Sequence, residues 1–549
     1  MLVKSTMTAT VTTLALCAGL WSLVASAGEG RVSSVYEQAG VATRGNAVDE
    51  AVLPMLRAEG IRPAPPCSDA VFIRRVYLDV IGTLPTAGEV RRFLSDHSPG
   101  KRAELIDQLL EREEFSDYWS LKWCDLLRVK SEFPINLWPN AVQAYHRWIR
   151  QCIRENRPYD EFVRQILTAS GSNFRVPEVN FYRALTNRAP GTIAAAVALT
   201  FMGTRVDSWT ADRRDGMAAF FQSVRYKRTA EWKEEIVYVD LHGSPKREGA
   251  EAPTRAMLPD GTVLAWVPGT DPRALFAEWL VHADNPWFAR SIVNRIWYWL
   301  MGVGIIHEPD DVRPGNPPGN PALLALLERE LVSHGFDLRH IYRLILNSAT
   351  YQRSCIPTTD RSAARSLFAH YPVRRLDAEV LIDAICQITG IHEDYSSLIP
   401  EPWTFIPGEN RSIALADGSI TSPFLEIFGR PARATGLESE RNNDPTPAQK
   451  LHLLNSGHML GKLSGVGMPQ ARATALGSRR RRSRSVDATP SATPSAVDTV
   501  YLAVLTRFPT TDEREAIAQY TRQAEAKGAE LQADLIWALI NTPEFLYRH

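Results

Sequence analysis

The chain repeats itself at its two ends, and this repeat limits the folds open to it. YLDVIGTLPTAGE (77–89) and YLAVLTRFPTTDE (501–513) share Y-L-x-V-x-x-x-x-P-T-x-x-E. LIDQLLEREEF (105–115) and LIWALINTPEF (535–545) share L-I-x-x-L-x-x-x-x-E-F. The two segments occur in the same order, so both ends carry one helical module. What is shared is caps and apolar spacing, the features that duplicated packing retains. Thr86 with Glu89 three residues on makes a capping box, and Ser68 caps a helix whose apolar face is Phe72, Val76 and Val80, closed by Gly82. Activity is therefore expected in what the two copies do not share.

The same 3.6-residue periodicity recurs at 145–153, 162–167, 323–331, 341–346 and 380–388, and predicts a mainly α, multi-helical two-domain protein. A chain of 549 residues exceeds one ordinary core. Its punctuation predicts a flexible segment at 28–44, a helical first domain at 45–234 and a β-rich insert at 235–270. In that insert IVYVDLHG and TVLAWVPG read as a small hairpin or β appendage joining the two helical halves. A helical second domain follows at 271–477, then a disordered Arg-rich and Pro/Ser/Thr-rich linker at 478–497 and a C-terminal helical module at 498–549.

Residues 1–27 read as a secretory signal: Lys4, an apolar run from Val11 to Val24, and Ala25-Ser26-Ala27 before Gly28. Export to the periplasm, cell envelope or medium is the expectation. No later run reaches ~18 apolar residues, so no transmembrane anchor is expected after cleavage. Lys plus Arg and Asp plus Glu each total 62, and this balance argues against a nucleic-acid partner. Past the signal stand Cys67, Cys124, Cys152, Cys355 and Cys386, with no C-x-x-C for a thiolate zinc site.

Polar residues concentrate in DNPWFARSIVNRIWYWLMGVGIIHEPDDVRPGNPPGNP (284–320). Phe288, Ile292, Ile296 and Leu300 form one helical stripe and Arg290, Asn294 and Tyr298 a second. The following loop carries His307, Asp310, Asp311, Arg313 and Asn316 among prolines. Two readings stand. In the first, His307, Asp310 and Asp311 are catalytic acid, base or oxygen ligands, while Arg290, Asn294, Arg295, Arg313 and Asn316 bind substrate. In the second, the aspartates pair with Arg295 and Arg313 and brace a helix-loop-helix corner. Arg430, Arg433, Glu438, Glu440 and Arg441 make a charge-dense segment that faces the same cleft or forms surface pairs. Trp119, Trp123, Trp138 and Trp148, near Asp125 and Arg128, suit either a glycan platform or a helical core. Asp240 and His242 alternate on a presumed strand. No spacing in the 284–320 stretch is diagnostic of a metal, and no phosphate loop, G-x-S-x-G or H-E-x-x-H appears.

DAVFIRRVYLDVIGTLPTAGEVRRFL with WSLKWCDLLRVK resembles the first domain of a two-domain planctomycete family of unknown function. NPWFARSIVNRIWYWLMGVGIIHEPDDVRPGNPPGNPALL, LILNSATYQRS, FGRPARATGLESERNNDPTPAQKLHLLNS and the C-terminal YLAVLTRFPTTDE to NTPEFLYRH resemble the second. The resemblance implies association of the first domain with cytochrome c modules. Many relatives carry C-x-x-C-H where this chain reads FMGTRVDSWTADRRDGMAAFF (201–221), and C-E-C-E-R where it reads LESER, with Leu437 and Ser439 in the cysteine places. Covalent c-type haem needs both thiols, so none is expected and no cofactor is predicted. Three functions follow: a non-haem envelope binding or assembly module that holds a polysaccharide or another envelope protein, a polysaccharide hydrolase using the 307–313 carboxylates with Glu438 or Glu440, or a partner of a cytochrome redox system.

Overall fold

Side-chain caps set where several of the helices begin. The computed structural model describes residues 35–37, 45–241, 254–406, 408–466, 495–524 and 528–549. The signal segment and most of the 478–497 linker lie outside the described residues. Ser68 accepts from Val71 N to start Asp69–Val80, and Phe72, Val76 and Val80 of that helix are buried. Gly82 follows at φ +59, where a Cβ would meet the Tyr118 ring at 2.6 Å, so only glycine fits the close turn. Thr86 and Glu89 complete a reciprocal capping box on Ala87–Ser95. Lys101–Leu110 and Glu113–Leu126 complete the module.

The C-terminal copy is built the same way. Ala496–Val504 is followed by Thr511–Ala524, at whose start Thr510 N–H donates to Glu513 (2.7 Å) and Glu513 N–H to Thr510 Oγ1 (3.2 Å). The shared letters turn out to be the ends of one bridge. In the first copy Arg112 joins Glu89 (3.0 Å) to Glu114 (2.6 Å) and lies over the Tyr77 ring at 5.7 Å. In the second, Arg507 joins Glu513 to Glu544, both at 2.7 Å, and lies 5.5 Å from the Tyr501 ring centre. The two arginines come from non-equivalent positions, so only the carboxylate and tyrosine ends of the bridge show in the repeat.

The copies also pack together. Arg74 donates to the carbonyls of Val504 and Phe545, both at 2.8 Å. Fully buried Arg75 donates to His549 O (2.9 Å), Tyr351 O (2.6 Å) and Arg353 O (2.9 Å). Adjacent arginines on one helix thus tie the C-terminal module to the first half, and Arg75 adds the second.

The second half is framed by Pro272–Val281, Phe288–Met301, Pro321–Ser333, Leu338–Leu346 and Ala378–Thr389. Asn320 starts the third of these by accepting from Leu323 N at 3.0 Å. The β-rich stretch is two ladders and not one hairpin. Glu235–Val239 pairs antiparallel with Val224–Arg228 and Gly171–Ser172, while Arg255–Met257 pairs with Val263–Ala265. The reason is local: the tight 229–234 turn presents VRYKR to EIVYV before the chain reaches TVLAWV. His242 lies outside the described residues. Among the described residues no helix is long and apolar enough to cross a membrane, and the five described cysteines are unbonded.

Replacing Arg75 by Met orphans three buried carbonyls at once. Arg75→Met is expected to lower unfolding stability by about 3–5 kcal/mol in urea titration, against less than about 0.5 kcal/mol for the exposed control Arg175→Met.

Candidate functional site

The 305–320 loop is held from below by the Phe288–Met301 helix. Asn294 clamps Ile306 from both sides, donating to its carbonyl (3.1 Å) and accepting from its N–H (2.9 Å). Arg295, fully buried, donates to Asp310 (2.8 Å) and to the carbonyls of Leu199 (2.7 Å) and Thr200. The other Asp310 oxygen accepts Glu438 N–H at 2.7 Å. Both Asp310 oxygens therefore have partners, in a site closed to solvent. Gly203 ends the Pro190–Met202 helix against this loop, at φ +61, and a Cβ there would come within 2.9 Å of Pro309 O.

The remaining loop residues lie further out. Asn316 donates to the carbonyls of His307 (2.8 Å) and Asp311 (3.0 Å), Asp311 pairs with Arg313 at 3.0 Å, and His307 is exposed. Arg290 pairs with Glu328 at 2.6 Å, joining two helices. Asp310, Arg295 and Glu438 are brought together, whereas Arg290, Arg313 and His307 do not join them.

Glu438 is the carboxyl of this group best suited to exchange protons. It is partly exposed, and its side chain accepts from Trp299 Nε1 at 2.6 Å. Burial and then the Asp310 carboxylate push its pKa up from 4.5 to about 7, with Lys122 and Arg295 opposing. The hydroxyl of neighbouring Tyr298 is pushed up to about 12 by burial and then by Glu438. A carboxyl poised near neutrality can give or take a proton at working pH.

Glu440 and Arg441 point to structure instead. Glu440 accepts from Ala434 N (2.9 Å) and Thr435 Oγ1 (3.1 Å), bracing its own loop. Arg441 bridges Asp125 and Glu379, each at 2.7 Å. Arg433 reaches the same Asp125 at 2.8 Å. Asp377 beside them takes Lys122 (3.0 Å), Arg548 (3.2 Å) and Asn443 (2.8 Å). Against burial, Lys122, Arg548 and Arg441 hold its carboxyl well below the usual range.

The tryptophans divide. Trp119 and Trp123 are core residues, and Trp148 stacks on Phe162 with centroids 5.0 Å apart. Trp138 instead meets two tryptophans from distant segments at the surface: Trp403 at 5.9 Å and Trp232 at 6.4 Å. Trp232 and Trp403 are 64% and 51% exposed, and Lys233 Nζ lies 5.1 Å from the Trp138 ring and 5.3 Å from that of Trp232. Glu132 holds the facing loop by accepting Leu398 N (3.0 Å) and Ser397 Oγ (3.1 Å), and both Leu398 and Phe133, which follows Glu132, are exposed. Asp417 adds a hydrogen bond from Ser131 N at 3.0 Å. Sequence reasoning reached Trp138 but missed Trp232, Trp403, Phe133, Leu398 and Lys233. The available signal was aromatic residues beside prolines and turns, outside any helical period.

Residues 47–226 match the family described as PSCyt2, protein of unknown function (DUF1549), and residues 272–521 match PSD1, protein of unknown function (DUF1553). No curated protein and no solved structure matches the chain.

Two variants probe this site. Asp310→Ala leaves Arg295 buried and unpaired, and is expected to cost about 3–5 kcal/mol in chemical denaturation. Glu438→Gln acts through pH. A carboxyl raised from 4.5 to about 7 binds its proton more tightly in the fold than in the unfolded chain. Its contribution is therefore greatest in acid and is lost as pH rises across that window. Thermal melts are expected to coincide for wild type and Glu438→Gln at pH 4, with the variant melting higher at pH 8.

Proposed function

Because the chain belongs to a two-domain family in which a PSCyt2-type domain precedes a PSD1-type domain, both of unknown function, its activity has to be read from its own surface, and we propose that it is an exported, haem-free envelope module that binds polysaccharide on its Trp138/Trp232/Trp403 face. The observation that carries this reading is the convergence of three tryptophans, from three separate segments, on one exposed surface beside Lys233. Exposed aromatic surface of this kind marks an interaction site, since leaving it in water forgoes the free energy of burial.

The occupant follows from the chemistry of the patch. Tilted indole rings offer flat apolar faces to the C–H face of a sugar ring, while the lysine ammonium is a donor for hydroxyl or carboxylate oxygens. The Ala25-Ser26-Ala27 signature supports export, and the missing C-x-x-C-H supports a haem-free role. A hydrolytic reading is favoured by one feature, the Glu438 carboxyl with its pKa near 7.

Trp232→Ala and Trp403→Ala are each expected to weaken retention on purified envelope polysaccharide about tenfold, with melting temperatures within about 2 °C of wild type because both rings are largely exposed. Undiminished retention in both variants would refute the platform. Retention of an envelope protein in place of the glycan would refute the choice of ligand, and sugar release lost in Glu438→Gln would make the module an enzyme.

A further inference from the structure

We propose that Glu330, His334 and His340 form a site for one divalent transition ion of the zinc class. Their ligand atoms all lie within 4.8 Å of one another. Glu330 and His334 are one helical turn apart at the end of Pro321–Ser333, and His340 stands in the first turn of Leu338–Leu346. Both imidazoles converge on a single carboxylate oxygen: Glu330 Oε2 is 2.9 Å from His340 Nε2 and 3.5 Å from His334 Nδ1. Ligand atoms around a tetrahedral zinc with bonds near 2.0 Å are separated by about 3.3 Å. Two of the three separations therefore already bracket the value an ion requires.

An i, i+4 Glu–His pair at an exposed helix end would be an ordinary surface contact. The third ligand, brought across the turn, distinguishes this cluster. The two rings stack with centroids 3.6 Å apart and planes 13° from parallel. Parallel planes cannot both contain one ion, so loading requires one ring to swing. His334 is the ring with room to do so, being 46% exposed beyond the end of its helix, and its swing breaks the Nδ1 contacts to Glu330 O (2.9 Å) and Ser333 Oγ (3.2 Å). His340 is more fixed, since its ring is 24% exposed and holds Glu330 Oε2 through Nε2 at 2.9 Å, while Asp337 caps its backbone N–H at 3.1 Å.

The turn between them is anchored to the first half. Phe336 O accepts Tyr159 N–H at 3.1 Å, and Asp337 accepts from Asn156 Nδ2 at 2.8 Å. Two ligand-bearing helices are thereby held in register before an ion arrives, which lowers the ordering cost of binding. Two imidazoles and one carboxylate select zinc, nickel or copper over magnesium or calcium, which take oxygen ligands. Three protein ligands leave a coordination position for water.

The test uses the untagged full chain, stripped with chelator and titrated with Zn2+ by calorimetry at pH 7.5, with Co2+ absorption as a second readout. One equivalent of zinc is expected, unaffected by excess Mg2+. His334→Ala and His340→Ala should each weaken binding by at least about tenfold, since even outer-shell losses cost 10–100-fold. Zinc should raise the melting temperature of wild type but not of His340→Ala. Glu330→Gln, similar in length, supplies the comparison if a histidine variant fails to fold, and is expected to bind more weakly than wild type. No zinc uptake by wild type would overturn the proposal. So would equal affinity in wild type and the folded variants, which would place the ion elsewhere among the 12 histidines.

Discussion

The structure depends on the charge cage buried between its two halves. Asp125 and Lys122 come from the first half; Asp377, Glu379, Arg433 and Arg441 come from the second, and Arg548 from the C-terminal module. Each carboxylate meets at least one cation across the seam or within it. Burying such groups is costly, and the cost is offset only when every partner is present. Separating the halves would leave several buried charges unpaired together. The seam is therefore a constraint on assembly more than a source of net stability.

The other polar features extend from this cage. Residues 437–441 run along it, so Arg441 is drawn into the ion cluster while Glu438, one turn earlier, reaches Asp310 and Trp299. Asp310 is linked through Arg295 to the end of the Pro190–Met202 helix. The 305–320 loop consequently behaves as a corner whose hydrogen bonds are used internally. On the far edge of the same seam, Glu132 and Asp417 hold two loops together and bring the tryptophan face to the surface. One interface thus positions both the raised-pKa Glu438 carboxyl and an exposed aromatic surface.

Arg74 and Arg75 show how the duplicated ends became one fold. Each guanidinium donates to main-chain carbonyls far away in sequence, which makes the C-terminal module part of the first half's packing. The paired bridges through Arg112 and Arg507 repeat a chemistry and not a position. A guanidinium between the two glutamates is what the bridge requires, and either position supplies it.

The sequence by itself determined several helix starts and buried faces: the boxes at Thr86 and Glu89 and at Thr510 and Glu513, the cap at Ser68, and the apolar faces of Asp69–Val80 and Phe288–Met301. These were legible because a cap or a stripe is satisfied within four or five residues. The start of Phe288–Met301 falls after Trp287, since Asn285 accepts from Trp287 N (3.0 Å) and Phe288 N (3.1 Å) and holds Pro286 in the preceding turn. Of the candidate site, the pairing of Asp310 with Arg295 was legible among local alternatives. That the 430–441 segment faces the same cleft was one of two local readings, but that Glu438 and not Glu440 would join Asp310, that Arg441 would serve Asp125, and that Trp138 would meet Trp232 and Trp403 was not legible. Those contacts are fixed by which elements pack against which, and charge or aromatic character at one position carries no record of a partner a hundred or more residues away.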